Sequence, residues 1–160
     1  LQWLLGGIDE VSAFAATLAH ERIEVEDTAV AAVRFRSGAL GSIEGTTGSW
    51  PGTKIRLEVG GSKGSAVLED ETVLSWKFEK EEPGDEEIRE KYGPREGLSG
   101  GGAGDPRAIS FEGHRRQLED FVRAIRTGGR PFCGGEDARA AVAIITGIYR
   151  SAREKRAVKV

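Results

Sequence analysis

The stretch Glu24-Val25-Glu26-Asp27-Thr28-Ala29-Val30-Ala31-Ala32-Val33-Arg34-Phe35, followed by Arg36-Ser37-Gly38-Ala39-Leu40, decides the fold. Val25, Ala29, Ala31, Val33 and Phe35 all occupy odd positions, which puts them on one face of a strand. Ser37-Gly38 supplies a tight turn, so the chain doubles back into a second strand over Leu40–Trp50. Pro51-Gly52 stops that strand. Downstream, Ile55, Leu57 and Val59 alternate with Lys54, Arg56 and Glu58. Gly60–Gly64 turns the chain into Ser65–Glu69, and Asp70-Glu71 turns it again into Thr72–Phe78, where Leu74, Trp76 and Phe78 share a face. Upstream, Val11–Leu18 reads as one more strand. Five or six strands joined by short turns predict a largely antiparallel, open-faced sheet.

Residues 79–107 break the pattern: they mix Gly, Pro and dense charge without a period, and they read as one long loop. Two helices follow. Phe111, His114, Leu118, Phe121, Val122 and Ile125 recur at spacings of three and four, and Gly128-Gly129-Arg130-Pro131 ends that helix. A second helix starts near Gly135 and buries Ala138, Ala141, Val142, Ile145, Ile148 and Tyr149. Val158–Val160 adds an edge strand. Together these elements predict an α+β domain, one sheet with helices packed on one face. The opposite face carries Val30 and Ala32 between Thr28 and Arg34. It is less polar than open solvent requires, so another subunit is expected to cover it.

Composition narrows the function classes. The chain has 160 residues, 38% of them hydrophobic and 31% charged, as in an ordinary globular domain. A net charge of −3 gives no electrostatic reason to expect nucleic acid or an anionic membrane as partner. The apolar runs are too short to span a bilayer. Cys133 is the single cysteine, which excludes an internal disulfide and a cysteine zinc cluster, so a reducing, cytoplasmic setting is the default. Leu1-Gln2-Trp3-Leu4-Leu5-Gly6-Gly7 reads as the glycine-capped end of a helix without its beginning, as expected of a piece of a longer protein.

Several motifs fail on their own chemistry. Gly60–Ser65 lacks the spacing of a phosphate loop and leads into a strand, not a helix. Gly100–Gly104 approaches a dinucleotide fingerprint, but Asp105 stands in place of the third glycine and no strand precedes it. His20-Glu21 opens like a zinc-protease motif without its second histidine. No G-x-S-x-G elbow occurs. By spacing alone His114 is a partly buried histidine that caps the core. The alternative is a polar ligand for a substrate at the mouth between loop and sheet. Trp50 is either a plain strand-end aromatic or the apolar wall of a pocket, and Gln117, one turn after His114, either shares a site with it or faces water.

Read in order, the segments resemble the C-terminal domain of the Gfo/Idh/MocA (glucose–fructose oxidoreductase / inositol dehydrogenase) family. Leu1–Gly6 resembles the end of the family's helix after its catalytic histidine/aspartate motif. Val25–Ala29 through Phe35–Gly41 resembles its E-D-x-A strand pair, and Ile55–Leu68 its later hairpin. His114–Phe121 with Gly129-Arg130-Pro131, and Ala140–Val160, resemble its late helices and closing strand. The resemblance implies one C-terminal domain over 1–160, with an N-terminal Rossmann domain outside the chain that binds NAD or NADP and carries the catalytic lysine. It implies no catalytic, cofactor-binding or metal residue here, and a fragment inactive by itself. Trp50, Thr53, His114 and Gln117 fall in regions that line the family's sugar or polyol pocket, and the open sheet corresponds to its homo-oligomer interface. In the intact enzyme, hydride would pass between nicotinamide and a substrate carbon. The competing expectation is a non-catalytic scaffold module on the same sheet. A small carbohydrate-binding module is disfavoured by the few aromatics.

Overall fold

A computed structural model describes residues 1–94 and 111–160. The chain folds as two units, one made of Leu1–Ser49 with Phe111–Val160, the other of residues 50–110.

The first unit is built on β1 (Ile8–Ala16), β2 (Thr28–Phe35), β3 (Leu40–Thr46) and β7 (Val158–Lys159), an antiparallel sheet in the order β3-β2-β1-β7. The Ser37-Gly38 turn forms as expected, and Gly38 takes φ 89°, a left-handed conformation that suits glycine. Register puts Val11 opposite Val33 and Ala13 opposite Ala31, and Ile43 faces Ala31 across the next ladder. Val11, Val33, Ala13 and Ala31, with Ile8 and Phe35, form the core, and Ile43 packs against it; Val11 is 0% and Phe35 1% exposed. Burying side chains of this size stabilises by about 1.5–3 kcal/mol each.

Helix α4 (Gly135–Glu154) packs along β1, with Ile144 and Ile148 against the core. Gly147 lies against the sheet because an added Cβ would come within 3.0 Å of Val160 and 4.0 Å of Val11. Ser151 is buried; its Oγ accepts from the Ala13 N–H at 2.9 Å and donates to the Arg156 carbonyl at 2.7 Å. That pair of bonds ties helix to strand and holds the turn into β7. The short helix α1 (Gln2–Leu5) ends at Gly6 and places Leu5 on the core.

In the second unit β4 (Arg56–Gly61), β5 (Gly64–Glu69) and β6 (Thr72–Phe78) form a three-stranded antiparallel sheet. Helix α2 (Asp85–Tyr92) packs on β6, where the Trp76 indole N–H donates to the buried Asp85 carboxylate at 2.8 Å.

The α+β class holds, with five corrections to the expected elements. The strands divide into two sheets, because alternation marks a strand but not its neighbour. β1 begins at Ile8 rather than Val11. β1 also ends at Ala16 rather than Leu18 and β2 begins at Thr28 rather than Glu24, so Leu18 and Val25 stand exposed in a loop. The expected loop at 79–107 contains α2, while its residues from 95 onward, including Gly100–Gly104, lie outside the described residues. Helix α3 (Glu112–Thr127) forms as expected but buries only Ala124, so it does not cover a sheet face as α4 does.

Candidate functional site

Helix α3 gains its local support from its own surface. Arg115 pairs with Glu112 at 2.7 Å and Glu119 at 2.8 Å, and Gly128, at φ 65°, closes the C-terminus with its N–H on Ile125 and that of Gly129 on Ala124. The chain then folds back along the helix. Asp120 pins this return by accepting the Phe132 N–H at 2.6 Å and pairing with Arg123, and that backbone donor is the main reason its carboxyl titrates below the usual range.

Between the return and the helix lies an open cavity of about 1140 Å³ lined by His114, Gln117, Phe121, Phe132 and Cys133. His114 and Gln117 therefore come together one turn apart. His114 is exposed, which corrects the expectation of a core-capping histidine: the stripe it belongs to is not packed on this chain's sheet. Trp50 and Thr53 belong to the second unit, both exposed, with Trp50 at 92%.

A buried carboxylate escaped the sequence reading. Asp27 closes the loop that leads into β2 and is 4% exposed. Its oxygens accept the N–H groups of Leu18 (2.9 Å), Ala19 (2.7 Å) and His20 (2.9 Å), the Thr28 hydroxyl (3.0 Å), and a contact from His20 Nδ1 at 3.2 Å. The Leu18 and Ala19 donors hold its carboxyl far below the usual carboxylate range, against the opposing effect of burial. The available signal was an Asp at the mouth of a strand after a polar run, the position where Asp binds nearby main-chain N–H groups. His20 thus serves this cradle rather than a zinc motif.

Beside the cradle, the Tyr149 hydroxyl of α4 donates to Glu26 Oε1 at 2.6 Å, a bond that raises the Tyr149 pKa because the phenolate would face a carboxylate. Tyr149 and Glu26 sit on the rim of a second cavity of about 350 Å³, with Ala31, Ile43 and Ile148 below.

Among the described residues no group of three His, Cys, Asp or Glu side chains could hold a metal ion, and no helix is long and apolar enough to cross a membrane. The dinucleotide fingerprint needs a glycine turn between a strand and a helix of a parallel unit. Among the described residues every ladder is antiparallel, and Gly60–Gly64 joins β4 to β5, so the fingerprint does not form there.

A profile described as an oxidoreductase family, C-terminal alpha/beta domain (Gfo/Idh/MocA), matches residues 1–160. The chain belongs to this family. The myo-inositol 2-dehydrogenase of Thermotoga maritima is 31% identical over 159 residues, covering 95% of this chain and 42% of that protein. The WlbA dehydrogenase from Bordetella pertussis, solved in complex with NADH and UDP-GlcNAcA, superposes with a TM-score of 0.78 at 32% identity, over 100% of this chain and 44% of that one. A levoglucosan dehydrogenase, solved with NADH and levoglucosan, gives a TM-score of 0.66 at 26% identity, over 99% of this chain and 46% of that one. This Gfo/Idh/MocA domain thus spans less than half the length of these relatives.

Proposed function

We propose that this Gfo/Idh/MocA domain is the substrate-binding and oligomerising part of an NAD(P)-dependent oxidoreductase acting on a sugar, polyol or related hydroxy or keto compound. The observation that carries the reading is the family match over the whole chain. The names of the relatives support the substrate class, since inositol, a UDP-sugar acid and levoglucosan are all polyhydroxylated. The cofactor would be held by residues outside this chain. The domain's own task is to bind and orient the substrate.

In this reading His114 and Gln117 hydrogen-bond substrate hydroxyls from α3, while Trp50 offers an apolar wall and Thr53 a hydroxyl. Polar contacts of this kind reject an analogue that lacks one hydroxyl more sharply than apolar contacts reject a missing methylene. The open face of the β3-β2-β1-β7 sheet joins copies of the chain, and a cytoplasmic setting suits the free Cys133.

The test is steady-state kinetics of the whole polypeptide with NAD(P) and a panel led by myo-inositol. His114→Ala is expected to raise KM by about tenfold, the size of one or two lost hydrogen bonds. The 160-residue chain by itself is expected not to quench or shift NADH fluorescence. Micromolar NADH binding by this chain, or a KM unmoved by His114→Ala together with Gln117→Ala, overturns the reading.

A further inference from the structure

The cavity beside the Asp27 cradle is separate from the α3 groove and lies wholly within the first unit. Its volume of about 350 Å³ falls within the range of small-ligand sites, and its walls divide by chemistry. Ile43, Ile145 and Ile148 form the apolar lining. The rim is polar: Glu26, Tyr149, Thr46 and Thr47. The hydroxyls of Tyr149 and the threonines can both donate and accept, whereas the Glu26 carboxylate only accepts. Tyr149 spends its proton on Glu26 Oε1, which leaves its lone pairs for an incoming hydroxyl. Thr46 Oγ1 is 2.9 Å from Thr28 Oγ1 and accepts the Gly48 N–H, so the rim is held in place before any ligand arrives. The charged residues lining the space are Glu26 and Asp27, both acids, and neither Lys, Arg nor His joins them.

We infer that this trough between α4 and the β2–β3 pair binds a neutral ring bearing several hydroxyls, a cyclitol or pyranose, with its C–H face on Ile43, Ile145 and Ile148 and its hydroxyls on Tyr149, Glu26 and Thr47. The inference rests on the sugar or polyol reading above for its ligand class. It adds a location and a charge rule: the acid at the rim selects against a uronate or a sugar phosphate, whose anion would meet the Glu26 carboxylate with no Lys, Arg or His lining the space to offset it.

The experiment is a ¹H–¹⁵N NMR titration of the 160-residue chain with myo-inositol and, separately, with glucuronate. Myo-inositol is expected to give saturable shifts at the Thr46, Thr47 and Tyr149 amides with a midpoint of order 10 mM, modest for a ligand of so few atoms. Glucuronate is expected to bind about tenfold more weakly. Tyr149→Phe removes one hydroxyl and is expected to weaken myo-inositol about fivefold, with the rest of the spectrum unchanged. Should that variant disturb the fold, Thr47→Val reads the same rim from a loop position and is expected to cost about threefold. No saturable shift by about 50 mM, equal midpoints for the two ligands, or shifts confined to His114 and Gln117 overturns the inference. The last result leaves the functional reading standing, because that is judged by NAD(P)-linked turnover and its dependence on His114.

Discussion

The two faces of the β3-β2-β1-β7 sheet are made from the same strands and differ in one respect. On the helix side Val11, Ala13, Ala31, Val33 and Phe35 are covered by α4 and one another. On the other side Phe14 is 80%, Leu40 76% and Val30 45% exposed, with Phe14 and Val30 paired across the β1–β2 ladder. Both faces carry apolar residues, the outer one among Arg34, Ser42 and Glu44, and among the described residues α4 covers only the inner one. The difference teaches that apolar content and burial are separate facts: content is written residue by residue, and burial depends on what else is present.

That contrast can be broken or sharpened by substitution. The largest effect is expected at Phe35, which is 1% exposed on the covered face. Phe35→Ala should cost about 3–5 kcal/mol in urea denaturation. A loss within the ordinary scatter of surface changes would mean that the covered face is not the core. An intermediate effect is expected at Asp27, at the end of the same sheet. Its folded-state carboxyl is depressed, so its contribution is complete above about pH 4 and is lost as pH falls through the lower folded value. Asp27→Asn should lower stability at neutral pH and flatten the fall on the acid side. Parallel pH–stability curves for parent and variant would show that the cradle does not matter. The smallest effect on stability is expected on the open face, where Phe14→Glu should change unfolding by no more than about 0.5 kcal/mol. The same variant should abolish self-association of the chain in light scattering. A monomeric parent at high concentration would remove the second copy from the open face.

Much of the fold was legible because local signals agreed with the final structure. Ser37-Gly38 and Gly128 mark a turn and a helix end by the conformation glycine allows, and both appear where expected. The start of β2 was misjudged because Val25 and Glu26 continue the alternation, while Asp27 spends its carboxylate on main-chain donors eight and nine residues earlier and holds the preceding loop out of the sheet. Helix α2 was hidden since Ile88 is its only aliphatic residue, so no apolar stripe announced it. At the candidate site, the spacing that places His114 and Gln117 on one face of a helix was readable. The exposure of that face was not, because amphipathic spacing does not say which protein supplies the other half of the contact. The Tyr149–Glu26 bond joins residues 123 positions apart and left no local trace at all.

The loop held by Asp27 has a further consequence for how this surface can change. Its clamp grips amide groups, which nearly every amino acid carries, and so asks little of the side chains at Leu18 and Ala19. Proline, lacking the amide hydrogen, is barred at those two positions. The segment can therefore be rewritten almost letter by letter while its path is kept, leaving room for lineages to vary its chemistry without rebuilding the scaffold beneath.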